Sequence, residues 1–233
     1  MDDFSFFRLY AELLKKRADN IREVGLWNGK MGITMALFHL SRMTRNDVYK
    51  EWASNLIDII YEDISLEMPY SFAHGLLGIG CGLQYLVDEG FVEGNTDEAL
   101  SDIDDLVGEI IDFRMMAGLD VENGVCGVGC YLYYRLINRI PDDNSLVVLK
   151  MTEYLIYLID WIEYLLCNED DIQRIADAYF LLCHLNTLNV MSFKVKKMIS
   201  GCLEKLLLCR SIDFSDNCDL LNMNSLKILK PWI

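Results

Sequence analysis

Apolar residues recur along this chain at helical rather than strand spacing, and they sort the helices into two kinds. One kind is apolar nearly all round: Gly78-Ile79-Gly80-Cys81-Gly82-Leu83 offers no charge to water and belongs inside. The other is amphipathic. Ile103, Leu106, Ile110 and Phe113 share one face, acidic residues take the other, and such a helix belongs outside. The periodicity predicts helices over about 3–18, 29–42, 46–64, 75–89, 97–116, 124–139, 145–166, 171–188 and 191–209, with no sheet. None of the three prolines, Pro69, Pro141 and Pro231, interrupts a strongly periodic stretch. Beyond about residue 210 the sequence turns polar, as expected of an irregular or weakly helical tail.

The inner helices share an opening phrase. It reads Asn28-Gly29-Lys30-Met31-Gly32-Ile33, then His74-Gly75-Leu76-Leu77-Gly78-Ile79, then Asn123-Gly124-Val125-Cys126-Gly127-Val128. A leucine follows each second glycine by five residues, at Leu37, Leu83 and Leu132, and Leu181 continues the frame after Gln173 and Ala176 in a fourth copy without glycines. Alternating inner and outer helices repeated at this period predict an all-α fold: an N-terminal helix and about four stacked αα-hairpins arranged as a partial α/α toroid. The expected units are about 25–66, 71–116, 120–166 and 169–209, forming one domain over residues 1–233. Glycine inside a helix costs about 1 kcal/mol relative to alanine, so its repetition at Gly29, Gly32, Gly75, Gly78, Gly124 and Gly127 implies a compensating close approach to neighbouring backbone. The residue before each first glycine, Asn28, His74 or Asn123, is expected to act as an N-cap.

These phrases carry a resemblance. Ser71-Phe72-Ala73-His74-Gly75-Leu76-Leu77-Gly78-Ile79 is similar to the Ala-His-Gly-x-x-Gly segment of the lanthionine synthetase C-like family, and Gly25-Leu26-Trp27-Asn28-Gly29-Lys30-Met31-Gly32-Ile33 resembles its Gly-Leu-x-x-Gly-x-x-Gly-Ile segment. The likeness covers roughly residues 25–190. It implies a toroid, which in fully active members has seven hairpins, and a role in modifying or maturing a ribosomally made peptide. Active members are zinc enzymes that add a peptide cysteine thiolate to a dehydrated serine or threonine, with zinc held by two cysteines and a histidine at the starts of late inner helices. His74 matches the histidine that handles a proton in that reaction. The family's Trp-Cys-Tyr-Gly segment would put a ligand cysteine two residues before a repeat glycine, where the third copy has Glu122 and the fourth Asp171, and no Cys-His-Gly occurs. The expectation is therefore a member without the usual zinc site and with no cofactor. Asn28, Asn123, Asp120, Glu122 and Asp171 are expected to line the peptide-binding cavity.

Charge narrows the partners. A net charge of −15 and the lack of clustered Lys and Arg exclude a nucleic-acid surface. Asp97, Glu98, Asp102, Asp104, Asp105, Glu109 and Asp112 read together as one solvated outer face. The eight cysteines, Cys81, Cys126, Cys130, Cys167, Cys183, Cys202, Cys209 and Cys218, lack the spacing of a disulfide framework and read as small buried residues in a reducing compartment. The N-terminus lacks the pattern of a signal peptide, and the long apolar stretch Tyr154 to Cys167 is broken by Asp160 and Glu163, so no membrane span is expected and the location is cytoplasmic.

Cys126 and Cys130, four apart, could join His74 as zinc ligands, but small packing residues are the better reading. His39 and His184 read as core or edge residues, and the tyrosines at 131, 133, 134, 154, 157 and 164 with Trp161 as packing in the third hairpin. Three functions fit: a lanthionine cyclase-like enzyme or its degenerate relative using His74, a non-catalytic scaffold that binds a peptide or a maturation enzyme, and a carbohydrate-active toroid with Glu122 and Asp171 as paired carboxylates. A partial ring leaves apolar edges, from which a homodimer is expected.

Overall fold

The computed structural model describes residues 3–139 and 143–210; the tail after 210, Pro141, Pro231 and Cys218 lie outside the described residues. Every regular element among the described residues is helical, in agreement with the all-α reading. The described residues form two compact units divided between Ile103 and Asp104.

The first unit begins with α1 (Asp3–Asn20), which packs on α2 (Lys30–Thr44) and α3 (Asp47–Asp63), themselves an αα-hairpin. α2 stops because Arg45 takes a left-handed conformation (φ 54°) and its N–H donates to the Ser41 carbonyl, while Asn46 accepts from the Val48 N–H and starts α3. α3 buries Tyr49, Ala53, Leu56 and Ile60, a single stripe at helical spacing. α4 (Leu76–Asp88) is buried continuously from Leu76 to Leu86, as its lack of charge requires. It meets α2 at Gly82, where a Cβ would stand 2.5 Å from Cγ of Met31.

The single helix expected over 97–116 is two: α5 (Thr96–Ala99), capped by Asn95, and α6 (Ser101–Asp112). Leu100 breaks the run by turning fully into the core, and Arg114 at φ 51° ends it four residues early. Phe113, expected on the buried face, lies past the helix end and is 76% exposed. The buried stripe of α6 is instead Ile103, Val107, Ile110 and Ile111, with Asp104 among them. Asp104 is therefore not part of the solvated acidic face.

In the second unit, α6 packs on α7 (Val125–Leu136) and α8 (Leu146–Leu166). Asp104 meets Arg135 of α7 through two hydrogen bonds, Nε to Oδ1 at 3.1 Å and Nη2 to Oδ2 at 2.7 Å, and accepts a third from the Tyr131 hydroxyl at 2.6 Å. All three residues are buried, so the carboxylate and guanidinium neutralise each other where water cannot. Gly108 of α6 lets the Tyr154 hydroxyl of α8 approach to 2.2 Å of where a Cβ would stand. α9 (Ile172–Leu185) and α10 (Ser192–Arg210) form the last hairpin, joined through a short 3-10 turn, Asn186–Leu188. α9 meets α7 at Gly129, which faces Leu181. Of the tyrosines expected to pack in the third hairpin, Tyr131 and Tyr133 are buried with Trp161, whereas Tyr157 and Tyr164 are exposed.

Candidate functional site

The loops in front of α2, α4 and α7 close in the same way. The first helical N–H donates back to a carbonyl seven residues upstream: Lys30 to Glu23 at 2.9 Å, Leu76 to Pro69 at 2.9 Å, and Val125 to Gly118 at 2.8 Å. One donor that a helix start leaves unpaired is thereby satisfied by backbone. The first glycine of each phrase, not the residue before it, is the N-cap, and no side chain caps it. This corrects the expected capping roles of Asn28, His74 and Asn123.

Glycine is required here for space. Gly29, Gly75 and Gly124 have extended backbones that any residue adopts, but a Cβ would stand 2.2 Å from the Gly25 carbonyl oxygen, 1.8 Å from that of Pro69 and 2.5 Å from that of Gly118. Gly32 and Gly78 face the carbonyls of Leu26 and Phe72, at 2.3 and 1.9 Å. The backbone these glycines approach most closely is thus their own preceding loop rather than a neighbouring helix. Helix-to-helix approach falls to Gly82, Gly108 and Gly129.

Each closed loop turns its tip outward. Asn28, in a left-handed conformation (φ 58°), is exposed and its Oδ1 accepts from Arg17 Nη2 at 3.1 Å. His74 is exposed; its backbone N–H donates to Ser71 Oγ at 3.2 Å, and its Cα abuts Gly25, where a Cβ would stand only 2.5 Å away. The Trp27 N–H donates to the Ala73 carbonyl at 2.8 Å, so the first two loops brace one another and fix the main chain beneath the imidazole. In the third loop Asn123 N–H donates to Asp120 Oδ1 at 2.8 Å, the same three-residue reach as from His74 to Ser71. Glu122 and Asn123 are exposed and Asp120 half-buried. Asp171 is exposed and serves as N-cap of α9, its Oδ1 accepting from the N–H groups of Gln173 and Arg174 at 2.9 and 3.2 Å. In the fourth copy a side-chain cap stands where the other three have a glycine.

Asp177 was not anticipated. It is buried on α9, accepts from the Val121 N–H at 3.2 Å and from Gln173 Nε2 at 3.2 Å, and so ties the third loop to the fourth inner helix. Its sequence neighbours Ala176 and Ala178 are apolar, and only a lone acid on an inner face hinted at it.

Cys126 and Cys130 lie inside this region with 0% and 1% exposure. Burial foremost raises both thiols, Cys130 to about 12 with the Asp177 carboxylate adding to it, and Cys126 well above its ordinary value with Cys130 and then Asp177 adding to it. Zinc needs thiolates. Among the described residues no three His, Cys, Asp or Glu side chains gather closely enough to hold a metal ion, so the donor set does not fit the zinc that the family resemblance implies. Cys81 and Cys202 are buried as expected, but Cys167 is exposed.

Histidines elsewhere are structural. His39 Nε2 and the Tyr85 hydroxyl hydrogen-bond at 2.7 Å, joining α2 to α4, beside Phe91, over which the Arg42 guanidinium stacks at 3.7 Å. Burial and then Arg42 lower the His39 pKa, and burial raises Tyr85 to about 12. His184 Nδ1 bonds the Phe180 carbonyl at 2.8 Å and its ring meets Tyr133 edge-on.

No helix among the described residues is long and apolar enough to cross a membrane. A search of curated proteins found none that matches. A family model described as lanthionine synthetase C-like protein matches residues 20–180, a span that holds all three glycine loops, the exposed His74 and the capped start of α9. The chain belongs to the lanthionine synthetase C-like family.

Proposed function

We propose that this protein binds a ribosomally made peptide and presents it for modification or maturation, in the cytoplasm, without zinc-dependent thiol activation. The observation that carries this reading is the donor set: Glu122 and Asp171 stand where the family's ligand cysteine would precede a repeat start, and among the described residues no three His, Cys, Asp or Glu side chains gather as metal ligands. The loop tips, by contrast, expose Asn28 and His74 in the first unit and Glu122 and Asn123 in the second, each on backbone closed by its own hydrogen bonds and so suited to contact a chain without reorganising. The partner is a peptide substrate or the enzyme that modifies it, and the protein works as a homodimer.

A second reading rests on one observation, that His74 projects an exposed imidazole from a main chain held by Ser71 and Gly25. An imidazole so placed can take a proton from a peptide thiol as it adds to a dehydrated residue. One experiment separates the two. A precursor peptide carrying a dehydrated residue and a cysteine is incubated with wild type and with His74→Ala, and its free thiols are counted by alkylation and mass spectrometry while binding is followed by calorimetry. Scaffolding predicts binding with an unchanged thiol count. Thiol loss with wild type alone establishes the catalytic reading, and no binding by either removes both.

A further inference from the structure

We propose that the groove between α8 and α10 docks a peptide segment whose apolar anchor is flanked by carboxylates. The inference rests on the peptide-binding reading above and gives it a surface distinct from the loop tips. The groove has a volume of about 260 Å³ and is lined by Leu166 of α8, by Cys167 just past its end, and by Met198, Gly201 and Cys202 of α10. That is smaller than the roughly 300–1,000 Å³ typical of small-molecule pockets, but it accommodates a large apolar side chain entering from an outside segment.

Charge selects the occupant. In a chain of net charge −15, α10 carries Lys194, Lys196, Lys197 and Lys205 against the single acid Glu204. The acid on the groove wall, Glu163, is ion-paired at 2.5 Å with Lys194, which also pairs with Asp160 at 2.7 Å, so its charge is partly offset and the two wall lysines, Lys197 and Lys205, outnumber it. Lys205 holds the opposite rim by donating to the Leu166 and Glu169 carbonyls at 2.8 and 2.9 Å, closing the end of α8. Lys197 on the wall is exposed and remains to meet a ligand carboxylate. Phe193, four residues before Lys197, and Leu208, seven after Gly201, continue the same helical face and are 88% and 61% exposed. An acidic segment is repelled by most of this molecule and is accommodated here.

Gly201 supplies a clean test, because a Cβ there meets nothing within 4 Å and helix propensity favours leucine over glycine. The probe is a short fluorescein-labelled helical peptide with two leucines four residues apart and glutamates at the flanking positions, compared with its lysine-flanked counterpart by fluorescence anisotropy. Wild type binds the glutamate peptide, and binds the lysine peptide at least about tenfold more weakly. Gly201→Leu, which fills the groove, and Lys197→Glu each weaken the glutamate peptide about tenfold or more, while the thermal midpoint of Gly201→Leu does not fall. Equal binding of that peptide by wild type and both variants overturns the groove and leaves the peptide-binding reading standing. Equal binding of the two peptides overturns the charge selection. Failure of wild type to bind either overturns the proposal outright, whereas the precursor experiment decides the peptide-binding reading by itself.

Discussion

At the residue scale the strongest commitment is the buried trio of Asp104, Arg135 and Tyr131. Removing one partner of a buried ion pair leaves the other charge without compensation, so Asp104→Ala should lower stability by about 3–5 kcal/mol in urea unfolding, whereas Asp105→Ala, on the exposed flank, should cost less than about 1 kcal/mol. The sequence could not assign Asp104 inward. It sits among six other acids, and its partners lie 27 and 31 residues away on a helix whose apolar run otherwise conceals Arg135. His39 yields a pH prediction. Its folded pKa lies below the unfolded value of about 6.5, so the unfolded chain binds more protons in that range and stability falls as pH drops below about 6.5. His39→Gln should flatten that limb of a stability profile. Tyr85, raised to about 12, contributes in the opposite direction: stability is lost as pH climbs from about 10.

At the element scale, helix order and most boundaries were legible within two residues, because burial imposes a 3.6-residue period that needs no knowledge of neighbours. The exception at Leu100 is a single residue turned inward, invisible to periodicity because leucine fits either a continued helix or a break. The glycines were legible as a pattern but not in their reason, since a bond reaching back seven residues leaves no mark in composition. That reason orders their substitutions. Gly75→Ala pushes a Cβ into a fixed carbonyl and should cost at least about 3 kcal/mol or prevent folding. Gly82→Ala meets the flexible Met31 side chain and should cost nearer 1 kcal/mol, and Asp171→Ala, which removes a cap, about the same. Thermal unfolding of the three variants checks the ranking.

For the whole molecule, the repeated phrases were enough to place the chain in its family. The departures at Glu122 and Asp171 were legible too, although the state of Cys126 and Cys130 had to come from packing. Metal analysis of protein purified without chelator should find no stoichiometric zinc in wild type or His74→Ala; one zinc per chain in wild type would overturn the zinc-free reading. α1 turns Ala11 and Ala18 inward yet leaves Phe6, Leu9, Tyr10 and Leu13 more than 40% exposed, at the i, i+3, i+4, i+7 spacing of a pairing helix. Light scattering on a sizing column should therefore report a dimer at micromolar concentration, and Leu9→Glu with Leu13→Glu a monomer of unchanged helicity.

The self-closing loops have a bearing on how such proteins diversify. Because each is fastened by main-chain bonds and glycine clearance, the residue at its tip contributes little to holding it shut. Asparagine, histidine and asparagine occupy that place in the three copies without altering the closure. Selection can exchange the chemistry displayed at the tips while the framework beneath them stays folded.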